Sequence, residues 1–159
     1  MQPLLEQWLR RVRENQLQHW ESARHYENLN YSLGIPVVVL STTVGTTVFA
    51  TLQKQVRLSV QVSVGAVSVL AAVLAGLQTF LRFSERAEKH RSVAGSYSAV
   101  RRRIETLLKL PVELKGDAAT AIAEIEKQLD ELAKASPNVP ERIWKRIQKQ
   151  GVKPEAYSA

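Results

Sequence analysis

The feature that most limits what this chain can become is a pair of long stretches without charge. Between Glu27 and Lys54 there is no Asp, Glu, Lys or Arg across 26 residues, and between Arg57 and Arg82 there is none across 24. The hydrocarbon core of a bilayer is crossed by about 20 largely apolar helical residues at roughly 1.5 Å each, so either block is long enough to span it. A soluble alternative starts from Leu58-Ser59-Val60-Gln61-Val62-Ser63-Val64, which alternates apolar and polar residues like a half-buried strand, and from Val37-Val38-Val39-Leu40, which suits a buried strand. A strand usually ends after about 5 to 6 residues, whereas the second block continues from Ala66 to Leu81, rich in Ala and Leu, with no turn chemistry. In lipid every backbone group must be bonded within its own segment, which a helix achieves despite β-branched side chains. The expected architecture is an all-α membrane protein: a two-transmembrane helical hairpin, spans at about 35–52 and 58–81, with an N-terminal amphipathic helix and C-terminal cytoplasmic helices.

The polar remainder agrees with that division. The 159 residues are 45% hydrophobic, an ordinary value, yet the apolar residues crowd into one third of the chain. That length allows one domain or one small membrane module. Residues 1–135 are expected to form the two-transmembrane domain, and 136–159 a short helix and tail. With no Cys, disulfide frameworks and Cys-based metal sites are excluded. Glu6, Arg10, Arg11, Arg13, Glu14 and Glu21 interrupt the first 30 residues, leaving no apolar core for a cleavable signal peptide, so the spans are expected to insert by their own hydrophobicity.

The net charge of +7 invites a nucleic-acid reading, but its distribution favours a membrane. Of 22 Lys and Arg, only Lys54 and Arg57 lie in the loop from Gln53 to Arg57. Basic residues flanking spans are retained in the cytoplasm, which puts both termini there and the short loop outside. Arg82, Arg86, Lys89 and Arg91 follow the second span, where each would gain about 1 kcal/mol from anionic headgroups. No aromatic-interleaved basic patch or reading motif accompanies the charge, so no nucleic-acid partner is expected.

In chain order, Leu5, Trp8, Leu9, Val12, His19, Trp20, Ala23 and Tyr26 recur at three- and four-residue steps and make one helical apolar stripe. A break or kink is expected at Gly34 and Pro36, since Pro lacks a backbone donor and Gly costs about 1 kcal/mol inside a helix. In the first span Thr42, Thr43, Thr46, Thr47 and Ala50 share one broad sector. In the second, Gln61, Gly65, Ser68, Ala72, Gly76 and Thr79 fall within about 80° of one another at 100° per residue. Small residues let helices approach and polar ones bond across the contact, so these positions are candidates either for helix packing or for lining an aqueous path.

Beyond Leu81 the absence of Pro and Gly before Gly95 predicts an uninterrupted helix with a stripe of Val93, Tyr97, Val100, Ile104 and Leu107 or Leu108. Arg101-Arg102-Arg103 beside it reads as a solvated or lipid-facing surface. Pro111 and Gly116 end the helix, Asp117 caps another carrying Ala118, Ile122, Ile125, Leu129 and Leu132 in a coiled-coil-like seam, and Asn138-Val139-Pro140-Glu141 opens a short last helix with Ile143, Trp144 and Ile147. A loose tail is expected from Gly151. The seams of residues 5–26 and 118–132 are expected to offer surface for self-association. His19, His25 and His90 form neither a triad nor a metal spacing, and glycine-rich phosphate loops are absent, so neither enzymatic activity nor a cofactor is expected. His25, Tyr26, Arg82, Arg86, Lys89 and His90 are the juxtamembrane residues, with His25 and His90 at similar depth on helices that could pair.

Those features together carry a resemblance. The helix ending in His25-Tyr26-Glu27-Asn28-Leu29-Asn30, two spans on a tiny loop, and Phe83-Ser84-Glu85-Arg86-Ala87-Glu88-Lys89-His90 leading to Tyr97 resemble the SLATT family, the SMODS and SLOG-associating two-transmembrane effector domains. The similarity covers about residues 15–135, and the segment from Ser136-Pro137 to Trp144 also fits. It implies an antiphage or other conflict-system effector in the bacterial inner (plasma) membrane. Such an effector would be a homo-oligomer that perforates the bilayer on a signal from a nucleotidyltransferase or nucleotide-sensing partner. A non-conducting anchor or scaffold that recruits a cytoplasmic partner is the other reading, favoured by a polar part larger than half the chain.

Overall fold

The computed structural model describes residues 2–51, 56–111 and 117–150, and all of its regular elements are helices. They are α1 (Gln2–Thr51), α2 (Leu58–Leu81), α3 (Phe83–Lys109), α4 (Ala118–Ala135) and α5 (Glu141–Gln150). No strand occurs among the described residues, so the alternating segment 58–64 is helical. Lys54, the span end at Leu52, Gly116 and the tail from Gly151 lie outside the described residues. The chain divides into two compact units, one of Met1–Arg24 with Ala87–Ala159 and one of His25–Arg86.

The first unit is a helical bundle built on complementary stripes. Leu5 and Val12 of α1, Tyr97, Val100 and Ile104 of α3, and Ile125 of α4 form the buried cluster, with Trp8, Leu9, Val93, Leu107, Leu108, Ile122, Leu129 and Leu132 packed around it. α1 and α3 run antiparallel here, since Arg13 reaches Glu105 at 2.8 Å while His19 meets His90. This corrects one expectation in part: Leu5, Trp8, Leu9 and Val12 of one seam and Ile122, Ile125, Leu129 and Leu132 of the other pack within the chain and against α3, and only members such as Trp20 stay exposed. An amphipathic stripe is stabilised by covering its apolar face, which stripes of the same chain can do for one another. The basic triplet also divides. The Arg101 side chain is only 14% exposed and lies 3.8 Å from Glu105, Arg102 donates to Ser98, and Arg103 pairs with Glu124 of α4.

The helix starts follow their local chemistry. Asp117 accepts at Oδ1 from the amides of Ala119 (3.2 Å) and Thr120 (3.4 Å), supplying partners to the orphan donors of α4. A hydrogen bond from the Thr120 hydroxyl and those from the two amides hold its carboxyl below the usual range. α5 opens at Glu141, and the Pro140 carbonyl accepts from Ile143 (2.9 Å) and Trp144 (3.1 Å). Ile143 and Ile147 are buried, whereas Trp144 faces outward.

The second unit holds the apolar segments. An expected break in α1 is absent, and an expected continuity after α2 fails. α1 runs through Gly34 and Pro36 without interruption. Pro36 removes a single backbone donor, and Gly34 has a packing role: a Cβ there would lie 2.9 Å from Gln78 Nε2, so its missing side chain admits the amide. Conversely, the helix expected to continue past Leu81 is broken at one residue. Arg82 adopts φ 49° and ψ 42°, a left-handed cap whose amide donates to the Gln78 carbonyl at 3.3 Å, and α3 begins at Phe83. Residues other than glycine lose about 1–2 kcal/mol in that conformation. Arg82→Gly is therefore expected to stabilise the purified protein by about 1 kcal/mol, and Arg82→Val to destabilise it. Denaturant unfolding in detergent would check both signs; a destabilised glycine variant would mean that the Arg82–Glu85 contact (2.8 Å) outweighs the strain.

Candidate functional site

Both polar stripes of the apolar segments belong to the second unit, and most of their members are exposed. Along α2, Ala71 is buried and Val64, Val67, Ser68, Leu74, Ala75 and Gln78 are half-buried, while Gln61, Gly65, Ala72, Gly76 and Thr79 are exposed. A Cβ placed on Gly65 or Gly76 would meet nothing within 4 Å. On α1, Thr42, Thr43 and Thr46 are exposed and Thr47 is half-buried. Of the α2 stripe Ser68 alone is half-buried, while Gln61 and Gly65 line a cleft with residues of α1.

Most of the hydroxyls in and beside these stripes bond to their own helices, Thr42 being the exception within the stripes. Thr43 donates to Val39 (2.8 Å), Thr46 to Thr42 (2.7 Å), Thr47 to Thr43 (2.8 Å) and Thr51 to Thr47 (2.8 Å). In α2, Ser63 donates to Ser59 (2.9 Å), Ser68 to Val64 (2.7 Å) and Thr79 to Ala75 (3.0 Å). Each acceptor is a backbone carbonyl. The proton that would otherwise need water or a neighbouring helix is therefore satisfied locally, which lets a hydroxyl face an apolar medium at little cost. Gln61 differs, because its amide is too long for this return. It lines an open cleft of about 410 Å³ with Thr47, Val48, Thr51, Val56, Val60, Val64 and Gly65.

At the other end of the unit, Tyr26 stacks on Phe83 with centroids 6.1 Å apart, and the Arg86 guanidinium carbon stands 5.9 Å from the Tyr26 ring centre. This ties the beginning of α3 to α1 through aromatic and cation–π contacts. Arg82 pairs with Glu85, Lys89 is exposed, and His25 is exposed beside Tyr26, its ring centroid 5.5 Å away.

Within the first unit His90 finds its partner on α1. His90 is buried and contacts His19, Nδ1 to Nδ1, at 2.9 Å; the ring centroids are 5.1 Å apart and tilted by 36°. His19 also stacks on Tyr97 at 5.8 Å and 15°. Burial, and then the charge of His90, lowers the pKa of His19 from 6.5 to about 4, and burial lowers that of His90. Both rings are thus neutral near pH 7, one Nδ1–H donating to the other Nδ1. The pair was not legible because its spacing of 71 residues carries meaning only once α1 and α3 are aligned. A trace exists in the stripe itself, where His19 falls in register with Val12 and Ala23. Among the described residues no group of three His, Cys, Asp or Glu stands close enough to hold a metal ion.

No protein-family model matches the chain, and no curated protein and no solved structure matches it either.

Proposed function

We propose that this chain is a multi-pass protein of the bacterial inner (plasma) membrane, with residues 35–52 and 58–81 as a transmembrane hairpin and both termini in the cytoplasm. On this reading it assembles into homo-oligomers that open a path through the bilayer on a signal from a nucleotide-producing or nucleotide-sensing partner. One observation carries the membrane reading. Both apolar helices are long enough to cross a bilayer, and their apolar windows are almost wholly unburied by the chain itself (0% and 6% buried). Phe49 and Phe80 are 78% and 81% exposed, with Ile35, Val38, Val62 and Val69 also outward. A soluble domain would hide such surface, whereas lipid is its natural solvent.

Self-association is supported by the exposed ridge of Gly65, Ala72 and Gly76, which permits close approach by another helix, and by geometry, since two helices alone enclose no channel. The resemblance to the SLATT effectors supplies the conflict-system role and the nucleotide-linked partner. A second reading, a non-conducting anchor, is favoured by a specific observation: the hydroxyls of Thr43, Thr46, Thr47, Ser68 and Thr79 are already bonded to their own helices and need no water.

Gln61→Leu combined with Thr46→Val separates the two. If these side chains face water in an assembled pore, an apolar lining dewets and closes a narrow constriction. Dye release from liposomes should then fall several-fold with protein level and oligomer size unchanged. If the anchor reading holds, interhelical bonds of about 0.6 kcal/mol are all that is at stake, and no triggered state of either protein leaks. Crosslinking in native membranes that returns monomer at every expression level would also overturn the pore.

A further inference from the structure

We propose that the His19–His90 contact is a pH-sensitive latch between α1 and α3, closed while the pair is neutral and opened when both rings carry charge. The argument starts from proton positions. At an Nδ1–Nδ1 separation of 2.9 Å the bridge accommodates one proton between the rings. A first added proton enters at Nε2 of the donor ring and leaves the bridge intact. A second has only the acceptor's Nδ1 to occupy, and two N–H groups then face each other across a gap that suits one.

Tyr97, stacked on His19, presents a neutral ring. Of the charged groups on the packed elements, Glu21 of α1 pairs with Arg146 of α5 at 3.7 Å, and Glu88 of α3 faces Arg91 at 3.9 Å. His19 and His90 are 4% and 2% exposed, so water cannot solvate the two imidazoliums without the helices parting. The lowered pKa values agree with this geometry. The sign follows: the unfolded chain takes up these protons near pH 6.5 and the folded one does not, so stability present above that pH is lost as pH falls toward 4. The consequence is a bundle that loosens on acidification, whether or not the apolar helices conduct.

The chain has three histidines, which allows a direct test on the full-length protein in detergent micelles with ¹⁵N-labelled histidine. Exposed His25 serves as the internal reference. One Nδ1–H bridge should persist through pH 6. It should vanish as pH drops toward 4, together with hydrogen-exchange protection of residues 12–23. In parallel, the thermal midpoint of the wild type should fall between pH 7.5 and 4.5 by at least about 5 °C more than that of a His19→Gln/His90→Gln variant, whose amides bond without titrating. Should that variant fail to fold, the spectra of the wild type still decide. The latch is overturned if both rings take up protons in step with His25 while protection stays unchanged, or if the two proteins share one pH profile.

Discussion

Ile104→Ala is expected to lower the stability of the helical bundle by about 2–5 kcal/mol, the range for removing a fully enclosed branched side chain and leaving a cavity. Ile104 is 0% exposed and sits in the cluster of Leu5, Val12, Tyr97, Val100 and Ile125, where α1, α3 and α4 meet. Neighbours on three helices cannot all relax into the space, which places the cost toward the upper half of that range. The damage should also be local. Because residues 25–86 form a compact unit of their own, limited proteolysis of membranes carrying the variant should release fragments of residues 87–150 while the segment 35–81 stays protected. Loss of protection in both units at the same denaturant concentration would show that they fold as one.

Val69→Lys should have an effect of similar size in a different place. Val69 lies at the middle of α2 and is 65% exposed. If that face meets lipid, a lysine at mid-span costs about 2.5–3.5 kcal/mol of insertion free energy, a reduction of roughly 100-fold in the ratio of inserted to uninserted chains. Carbonate-resistant protein should fall sharply while total synthesis is unchanged. The same substitution on a water-exposed helix would be harmless and would raise solubility. The sign of the change therefore distinguishes lipid from water at this surface more directly than any loss of function, and unchanged membrane retention would count against a span here. Arginine or lysine nearer Leu58 or Leu81 should cost less, because a long side chain there reaches the interface.

The two variants probe features of different origin. Ile104 belongs to a core made by three amphipathic helices covering one another, and its loss is a packing defect. Val69 belongs to a surface that no other part of the chain covers, and its replacement changes compatibility with the surroundings. The hydroxyls on that surface follow the same logic. Thr43, Thr46, Thr47, Ser63, Ser68 and Thr79 return their protons to carbonyls one turn back, so a stripe that looks polar in sequence is nearly self-contained. Gln61 makes no such return, and the cleft it lines must answer for its amide.

The sequence by itself determined the helical class, the two apolar segments and the apolar stripes, because each depends on residues a few positions apart. Absence of charge over 26 and 24 residues and repeats of three and four are local properties, as is the capping of α4 by Asp117. What the tertiary structure alone decided lies between segments distant in sequence. The antiparallel register of α1 and α3 brings His19 to His90 and Arg13 to Glu105, and no local pattern sets that register. It also turned the stripes of residues 5–26 and 118–132 from free seams into a core, since an apolar stripe states that a partner is needed and not which one. At Gly34 and Arg82 the local rules pointed the wrong way. Gly34 is spared a break because Gln78 fills the space beside it, and Arg82 turns left-handed where helix α2 ends and Phe83 must reach Tyr26. In both cases contacts worth a few kcal/mol across helices outweigh backbone preferences of about 1 kcal/mol.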